Sequence, residues 1–441
     1  MKTTGKLIFS ALIVIFAAGV HSAAAGQGKD LQKTFTWKYN VSKDASISFN
    51  NYDCNLTIHT WDKAEAEYHM MIDATARTEE DAATLGKYLD NLTFTNSASS
   101  VSFRDNFWKS RNNILGKTTM ELENGQKIGL SEFSMKGELW IPSTCRFSLN
   151  SKYSQVTMEN ISGEVQLDLY NDNFFGASLG SKAGIKDKYS TLEFRDVKNI
   201  IADIYNSKLS FNNTGDLKID SKYSKVTAAT TGNLEIGSYN DKFDFTKTGD
   251  LNLSAKYTDL KSDVSGKVTL DCYEGSVMIK DAKDVQISSK YADFQFGVAD
   301  NIVISTVYND KLSCQKLNSL DISESKYCVF RVDELKSSVS DRDGYEDKFT
   351  IGKGSQDLKE VSINGKYMGI DLAIPRNLDY RFKAHIQYPK LDIADESTFQ
   401  SRNKIIDDSH LEYDAVKGKE KEGMTKIEVN GYEVSLKISG F

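Results

Sequence analysis

The sequence predicts an all-β fold, a parallel and right-handed β-solenoid of about 17-residue coils. A β-rich N-terminal cap with one helix precedes the coils, and a closing strand pair follows them. Three observations carry this prediction. Tyrosines recur at regular spacing, at Tyr153, Tyr170, Tyr189, Tyr205, Tyr223, Tyr239, Tyr257, Tyr273, Tyr291, Tyr308 and Tyr327. Between them apolar residues alternate with polar ones at period two, the mark of strands buried on one face. Pro142 and Pro375 bracket residues 143–374, which contain no other proline. Every N–H in a parallel ladder has a partner, so proline is excluded from its interior.

Two phrases alternate along the repeat and set a double unit of about 34 residues. One is Ser-Lys-Tyr-Ser, as at 151–154 and 221–224, with the variants Ala255-Lys256-Tyr257-Thr258, Ser289-Lys290-Tyr291-Ala292 and Ser325-Lys326-Tyr327-Cys328. The other is Tyr-Asn-Asp, at Tyr170, Tyr239 and Tyr308, with Tyr205-Asn206-Ser207 as a variant. Gly-Asp and Gly-Asn pairs between the tyrosines (Gly215-Asp216, Gly232-Asn233, Gly249-Asp250) supply turn chemistry. Each unit reads as two short strands. Leu217 and Ile219 precede Tyr223, and Val226 and Ala228 follow it. A unit this short cannot bury its own apolar face, but stacked units can. An antiparallel sandwich also gives short alternating strands, yet does not require a constant double period. The inward parity resets after each tyrosine, which implies a bend there. By parity the Ser-Lys-Tyr tyrosines point inward, whereas Tyr170, Tyr205, Tyr239, Tyr273 and Tyr308 point outward or lie at a corner. Cys272 and Cys314 fall in inward slots.

The flanks differ. Residues 1–25 read as a secretory signal peptide: Lys2 and Lys6, an apolar run from Leu7 to Val20, then Ala23-Ala24-Ala25. Residues 26–140 form the cap module, with all four tryptophans, strands near 34–41, 45–49, 54–60, 66–75 and 92–104, and a polar loop or hairpin over 106–131. Its helix is signalled by Thr78 with Asp81 as a capping pair and by Ala82, Leu85, Leu89 and Leu92 on one face. The module is expected to cover the first coil, because an open solenoid end invites aggregation. The solenoid proper spans 141–375. Residues 376–441 form a C-terminal cap, in which 395–422 read as a mobile charged loop and 425–438 as the closing pair.

Composition narrows function. The formal charge of −7 argues against nucleic acid. After the signal segment no apolar run reaches membrane-spanning length. Five widely spaced cysteines form no disulfide framework. The five histidines are scattered, so no zinc site is expected. There is no phosphate-binding glycine loop, no Ser/His/Asp arrangement and no long insertion to build a catalytic cleft, so the chain reads as no enzyme with no cofactor. Three surface features remain. The outward tyrosines Tyr170, Tyr205, Tyr239, Tyr273 and Tyr308 can bind a ligand as an aromatic ladder, or simply pack on one another. The Asn-Asp pairs offer oxygens for calcium but lack the glycine-rich nonapeptide of calcium rolls, and read as turn residues. The lysines of Ser-Lys-Tyr read as part of a mixed, solvated face.

Three stretches resemble a known bacterial family. Residues 46–62, ending in Trp61-Asp62, look like its opening strand, Asn-Tyr turn and Trp-Asp. Gly137-Glu-Leu-Trp-Ile-Pro142 looks like the entry into its repeats, and the Lys-Tyr-Ser and Gly-Asp-Leu units look like the repeats themselves. The chain thus resembles the bacterial putative-adhesin β-strand repeat family, akin to the β-solenoid heads of autotransporter adhesins. The resemblance implies a right-handed β-helix without enzymatic activity in an outer-membraned bacterium. Asp53 and Asn171 stand where the family often has glycine after the tyrosine. The expected role is a secreted, non-catalytic solenoid that presents a surface to a glycan, matrix or cell-surface ligand. The alternative is a periplasmic or envelope scaffold that binds another protein.

Overall fold

The alternation read along the repeat is the alternation the molecule buries. A computed structural model describes residues 29–114, 117–407 and 409–441, so the signal-peptide segment lies outside the described residues. The fold is a mostly-β parallel solenoid with a single helix. Contacts divide it into two compact units, one ending at Gly215 and one beginning at Asp216.

In the second unit the coils step regularly. Leu217 pairs in parallel with Leu234, Leu234 with Leu251, and Leu251 with Val268. These three steps are 17 residues each, and later ones lengthen, to 18 from Phe294 to Leu312 and 21 from Phe349 to Ile370, while like still sits on like. Some coils hold two strands joined by a sharp corner, such as Leu217–Lys222 and Lys225–Thr230, whereas Val268–Tyr308 stays extended through more than two coils. Leu217, Ile219, Val226 and Ala228 point inward and are buried, as are Leu234, Ile236, Phe243 and Phe245 above them. Burying each such side chain contributes about 1.5–3 kcal/mol. Cys272 and Cys314 are buried in the same inward rows.

The corner corrects one expectation. The tyrosines of Ser-Lys-Tyr do not point inward: Tyr153, Tyr223, Tyr257, Tyr291 and Tyr327 are exposed. Parity fails because each of them adopts the left-handed conformation, with φ from 57° to 62°. A strand's in–out alternation ends at a residue with positive φ, and the side chain swings out.

The first unit begins with the cap. Lys29–Asn40 lies antiparallel to Glu65–Ala76, which lies antiparallel to Lys127–Pro142. Residues 106–131 resolve as a hairpin, Trp108–Ile114 with Lys117–Leu122, whose second strand pairs with Lys127–Pro142. The helix runs Glu79–Asp90, and the Thr78 side chain accepts the Asp81 N–H as its cap. Ala82, Leu85 and Leu89 are its buried face. Leu92 lies just beyond the helix, buried, where its carbonyl accepts from Trp37 Nε1 at 3.1 Å. Strands Ser46–Tyr52 and Asn55–Trp61 pair in parallel with Arg146–Lys152 and Gln155–Met158, so the first coil is already present in residues 46–61. Its other side is covered by Ser100–Arg104 and Lys127–Pro142.

Near the C-terminus, residues 395–422 are not an irregular loop. Phe399–Ile406 and His410–Lys417 form an antiparallel hairpin, and the latter strand pairs antiparallel with Tyr380–Gln387. The charged sequence hid this because only one face of the hairpin is apolar: Leu411, Tyr413 and Ala415 are buried. The final strands, Thr425–Tyr432 and Ser435–Gly440, close the unit from inside the stack. Thr425–Tyr432 lies between Glu360–Lys366 and Tyr380–Gln387, parallel to both. Ser435–Gly440 lies likewise between Gly369–Ile374 and Lys390–Ile393. Among the described residues no helix is long and apolar enough to cross a membrane.

Candidate functional site

The candidate site is the corner itself, where the chain turns between the two strands of a coil. In Tyr-Asn-Asp coils the tyrosine is the last strand residue and the asparagine takes the left-handed position: Asn171, Asn206, Asn240 and Asn309 have φ of 54°, 51°, 57° and 55°. Asparagine tolerates that conformation best among non-glycine residues. In Ser-Lys-Tyr coils the chain is offset by one residue, so the tyrosine occupies the corner and the lysine takes the strand end. Lys152 therefore pairs with Tyr170, Lys222 with Tyr239 and Lys256 with both Tyr239 and Tyr273.

This offset interleaves the rings. In the first unit Tyr52, Tyr153, Tyr170, Tyr189 and Tyr205 follow one another edge to face, with centroids 5.6, 5.5, 5.4 and 5.6 Å apart. In the second unit the ladder begins with Tyr223 and Tyr239 at 5.5 Å and continues through Tyr257, Tyr273, Tyr291, Tyr308, Tyr327, Tyr345 and Tyr367. It ends with Tyr432 between Tyr367 and Tyr388, at 5.5 and 5.3 Å, which repeats the inserted order of the last strands. Edge-to-face pairs contribute about 0.5–1.5 kcal/mol beyond buried area. Exposure along the ladders is uneven: Tyr388 is 51% and Tyr239 37% exposed, whereas Tyr170, Tyr205 and Tyr308 are half-buried. Crowding by neighbouring rings raises the phenols of Tyr153, Tyr257 and Tyr291, first by desolvation and then by the adjacent tyrosines.

Of the five tyrosines singled out in the sequence, Tyr170 and Tyr205 join the first ladder, and Tyr239, Tyr273 and Tyr308 the second. None of these five touches another; each is flanked by tyrosines of the Ser-Lys-Tyr class. Sequence parity missed those partners because it carried strand alternation through a corner. Outside the rings, the strand-end lysines (Lys152, Lys188, Lys222, Lys256 and Lys290) are exposed beside the tyrosines of adjoining coils. The result in each unit is a stripe of aromatic edges and ammonium groups.

Behind the rings, a second ladder explains the double period. The Ser154 N–H donates to Asp172 Oδ1 at 2.7 Å, and the Asp172 N–H donates to Ser190 Oγ at 3.0 Å. In the second unit the Ser224 N–H donates to Asp241 Oδ1 at 2.6 Å, Ala292 N–H to Asp310 Oδ1 at 2.6 Å and Cys328 N–H to Asp347 Oδ1 at 2.6 Å. The next coil thus caps these corner N–H groups, with a carboxylate at Ser154, Ser224, Ala292 and Cys328 and with a hydroxyl at Asp172 and at Ser190, where Ser207 Oγ accepts. Asp172, Asp241, Asp310 and Asp347 are buried. These carboxylates point inward and are occupied by backbone N–H groups, which leaves them turned away from any surface calcium. Burial pushes Asp172 and Asp310 up to about 6, against the pull of those N–H donors. Asp341 rises to about 7, through burial and then the charge of Asp347, with which it shares the Ser325 hydroxyl.

Two further features stand apart from the stripe. A groove of about 690 Å³ in the second unit is lined by Val298, Leu317 and Leu335, with lysines (Lys316, Lys336, Lys353) balanced by Asp300, Glu334 and Asp357. Across the strands Tyr380–Gln387 and His410–Lys417, His385 and His410 come within one cluster with Glu412. The scattered histidines hid this, since 24 residues separate the two and the intervening segment read as loop. Recognition of the antiparallel pairing of Tyr380–Gln387 with His410–Lys417 would have found it. All five cysteines are free and buried. Burial pushes the thiols of Cys145, Cys272 and Cys328 up to about 12 and that of Cys314 to about 11, so none is poised as a nucleophile.

No family model and no curated protein matches the chain, so the family resemblance rests on the residues quoted above. Among solved structures, the chain is similar to a crystal structure described as a "putative cell adhesion protein" from Clostridium sporogenes. Identity is 9% over 93% of this chain and 100% of that one, with a TM-score of 0.18. It is also similar to one described as a "putative lipid binding protein" from Parabacteroides distasonis, at 10% identity over 68% of this chain and 96% of that one, with a TM-score of 0.20. At these scores neither likeness carries an argument about ligand.

Proposed function

We propose that this chain is an exported, non-catalytic binding protein that presents its lysine–tyrosine stripe to an anionic glycan or matrix polymer at the cell surface. The observation that carries the reading is the stripe. It repeats at coil spacing, it sets aromatic groups beside ammonium groups, and regular hydrogen bonds behind it hold it rigid. A preorganised repeat suits a repeating polymer, because each added unit engages without new ordering cost. The test is an array of neutral and acidic glycans, run at low and high salt. Expected are salt-sensitive binding to acidic polymers and its loss in the combined variant Tyr239→Ser/Tyr273→Ser/Tyr308→Ser. Binding that survives in that variant, or no glycan bound at all, would overturn the reading.

The second reading is a periplasmic scaffold that binds an envelope protein. The groove at Val298, Leu317 and Leu335 favours it, since a concavity rimmed by both lysines and acids, Asp300, Glu334 and Asp357 among them, suits a peptide segment of mixed charge. Protease treatment of intact and lysed cells separates the two. Cleavage only after lysis favours the scaffold, and cleavage on intact cells favours surface adhesion.

A further inference from the structure

The geometry points to a zinc site across the strands Tyr380–Gln387 and His410–Lys417, formed by His385, His410 and Glu412, and we propose it as such. In the antiparallel pairing of Tyr380–Gln387 with His410–Lys417, His385 stands directly opposite Glu412, and Gln387 opposite His410. His410 and Glu412 are two apart on one strand and share a face. His385 Nδ1 lies 3.8 Å from Glu412 Oε1, and His410 Nε2 lies 3.7 Å from the same oxygen. All three ligand atoms fall within 4.8 Å of one another. Zinc bonds of about 2.0–2.2 Å in a tetrahedron place ligands about 3.3 Å apart. Small side-chain rotations therefore close the site, and the side chains are free to make them, being 61%, 30% and 53% exposed.

The backbone is already fixed by the two-strand ladder. Further along the ladder a diagonal, bidentate ion pair of Arg381 with Asp414, at 2.9 and 2.7 Å, holds the same two strands together. Among the described residues Glu412 has no lysine or arginine partner; its ion pairs are with the two histidines alone. Two neutral imidazoles and one carboxylate suit zinc, and three protein ligands leave a fourth position for water or for a group on another molecule. Bound there, the ion would tie the capping strand to the solenoid.

Calorimetric titration of the full mature chain with zinc chloride tests this, alongside thermal melting with and without zinc. One zinc per chain is expected, with a rise in melting temperature, since a ligand held only by the folded state stabilises it. His385→Ala, His410→Ala and Glu412→Gln should each weaken binding more than tenfold and abolish the rise. Their melting without zinc should match the parent, since the three side chains are on the surface. His59→Ala/His69→Ala should bind zinc as the parent does. Absence of saturable binding, or binding that persists in His385→Ala/His410→Ala, would overturn the site. The stripe's glycan binding is read separately, so either proposal can fail without the other.

Discussion

At the scale of single residues, the corner imposes strain that the ladders offset. Tyrosine in the left-handed region costs about 1–2 kcal/mol. The hydrogen bonds and ring contacts around it hold it there. Comparing Tyr291→Gly with Tyr291→Ala isolates that cost, because both remove the ring and only alanine keeps the strain. The glycine variant is expected to be more stable by about 1 kcal/mol in denaturant melts. Glu274 occupies the slot filled elsewhere by Asn171, Asn240 and Asn309, with φ of 57°. Glu274→Asn should raise stability by about 0.5–1 kcal/mol, since asparagine pays less for that conformation. The buried carboxylates give a pH dependence of defined sign. Asp341 titrates in the folded chain at about 7, above the ordinary 3.8. Its contribution is fully favourable below pH 3.8 and is lost as pH rises through about 7. Asp172 and Asp310 act likewise up to about 6. Melting temperature should therefore fall from pH 5 to pH 8. Asp341→Asn should flatten that fall by up to about 3 kcal/mol, since about two pH units of the shift lie between pH 5 and 7. A flat profile in the parent chain would exclude the assignment.

At the scale of elements, the repeating coil was legible because stacking demands like on like. Leu217, Leu234, Leu251 and Val268 occupy one inward column, and the period could be read from the letters. Leu253, buried in the neighbouring column, makes the register testable. Leu253→Asp places a charge in a dry core and should unfold several coils together, so an unchanged melt would reject the register. Glycines mark where coils approach closely. A Cβ on Gly249 would meet the backbone of Gly232 at 3.0 Å and Asn233 Oδ1 at 2.8 Å. Gly249→Ala should cost about 1–3 kcal/mol. What escaped the sequence depended on conformation rather than pattern. The direction of Tyr153 or Tyr257 follows from one dihedral angle, and alternation is blind to it. The His385–His410 cluster depends on antiparallel pairing across 24 residues, which no local period encodes. The Tyr170, Tyr205, Tyr239, Tyr273 and Tyr308 positions were visible, but only as half of each row.

At the scale of the whole molecule, each unit deals with the exposed edge that parallel stacking creates. In the first, Ser100–Arg104 and Lys127–Pro142 lie against the opening coil. In the second, His410–Lys417 runs antiparallel on Tyr380–Gln387, and Phe399–Ile406 pairs outside it. Uncovered strands template further pairing. Replacing residues 396–421 with a short glycine–serine linker should yield concentration-dependent aggregation in light scattering. A variant that stays monomeric at the same concentration would show that the hairpin does not protect the edge.

The inserted last strands have a consequence for how the chain is made. A solenoid can in principle wind up from one end as it leaves the ribosome, each new coil settling on the one before. Here residues 380–417 emerge before residues 425–440, yet the later segment must slot between Glu360–Lys366 and Tyr380–Gln387. Strands synthesised early must therefore wait with their edges unpaired, or dock wrongly and part again. Completion of the second unit must wait for residues 425–440, and a chain stopped at Met424 should be interrupted rather than merely shorter.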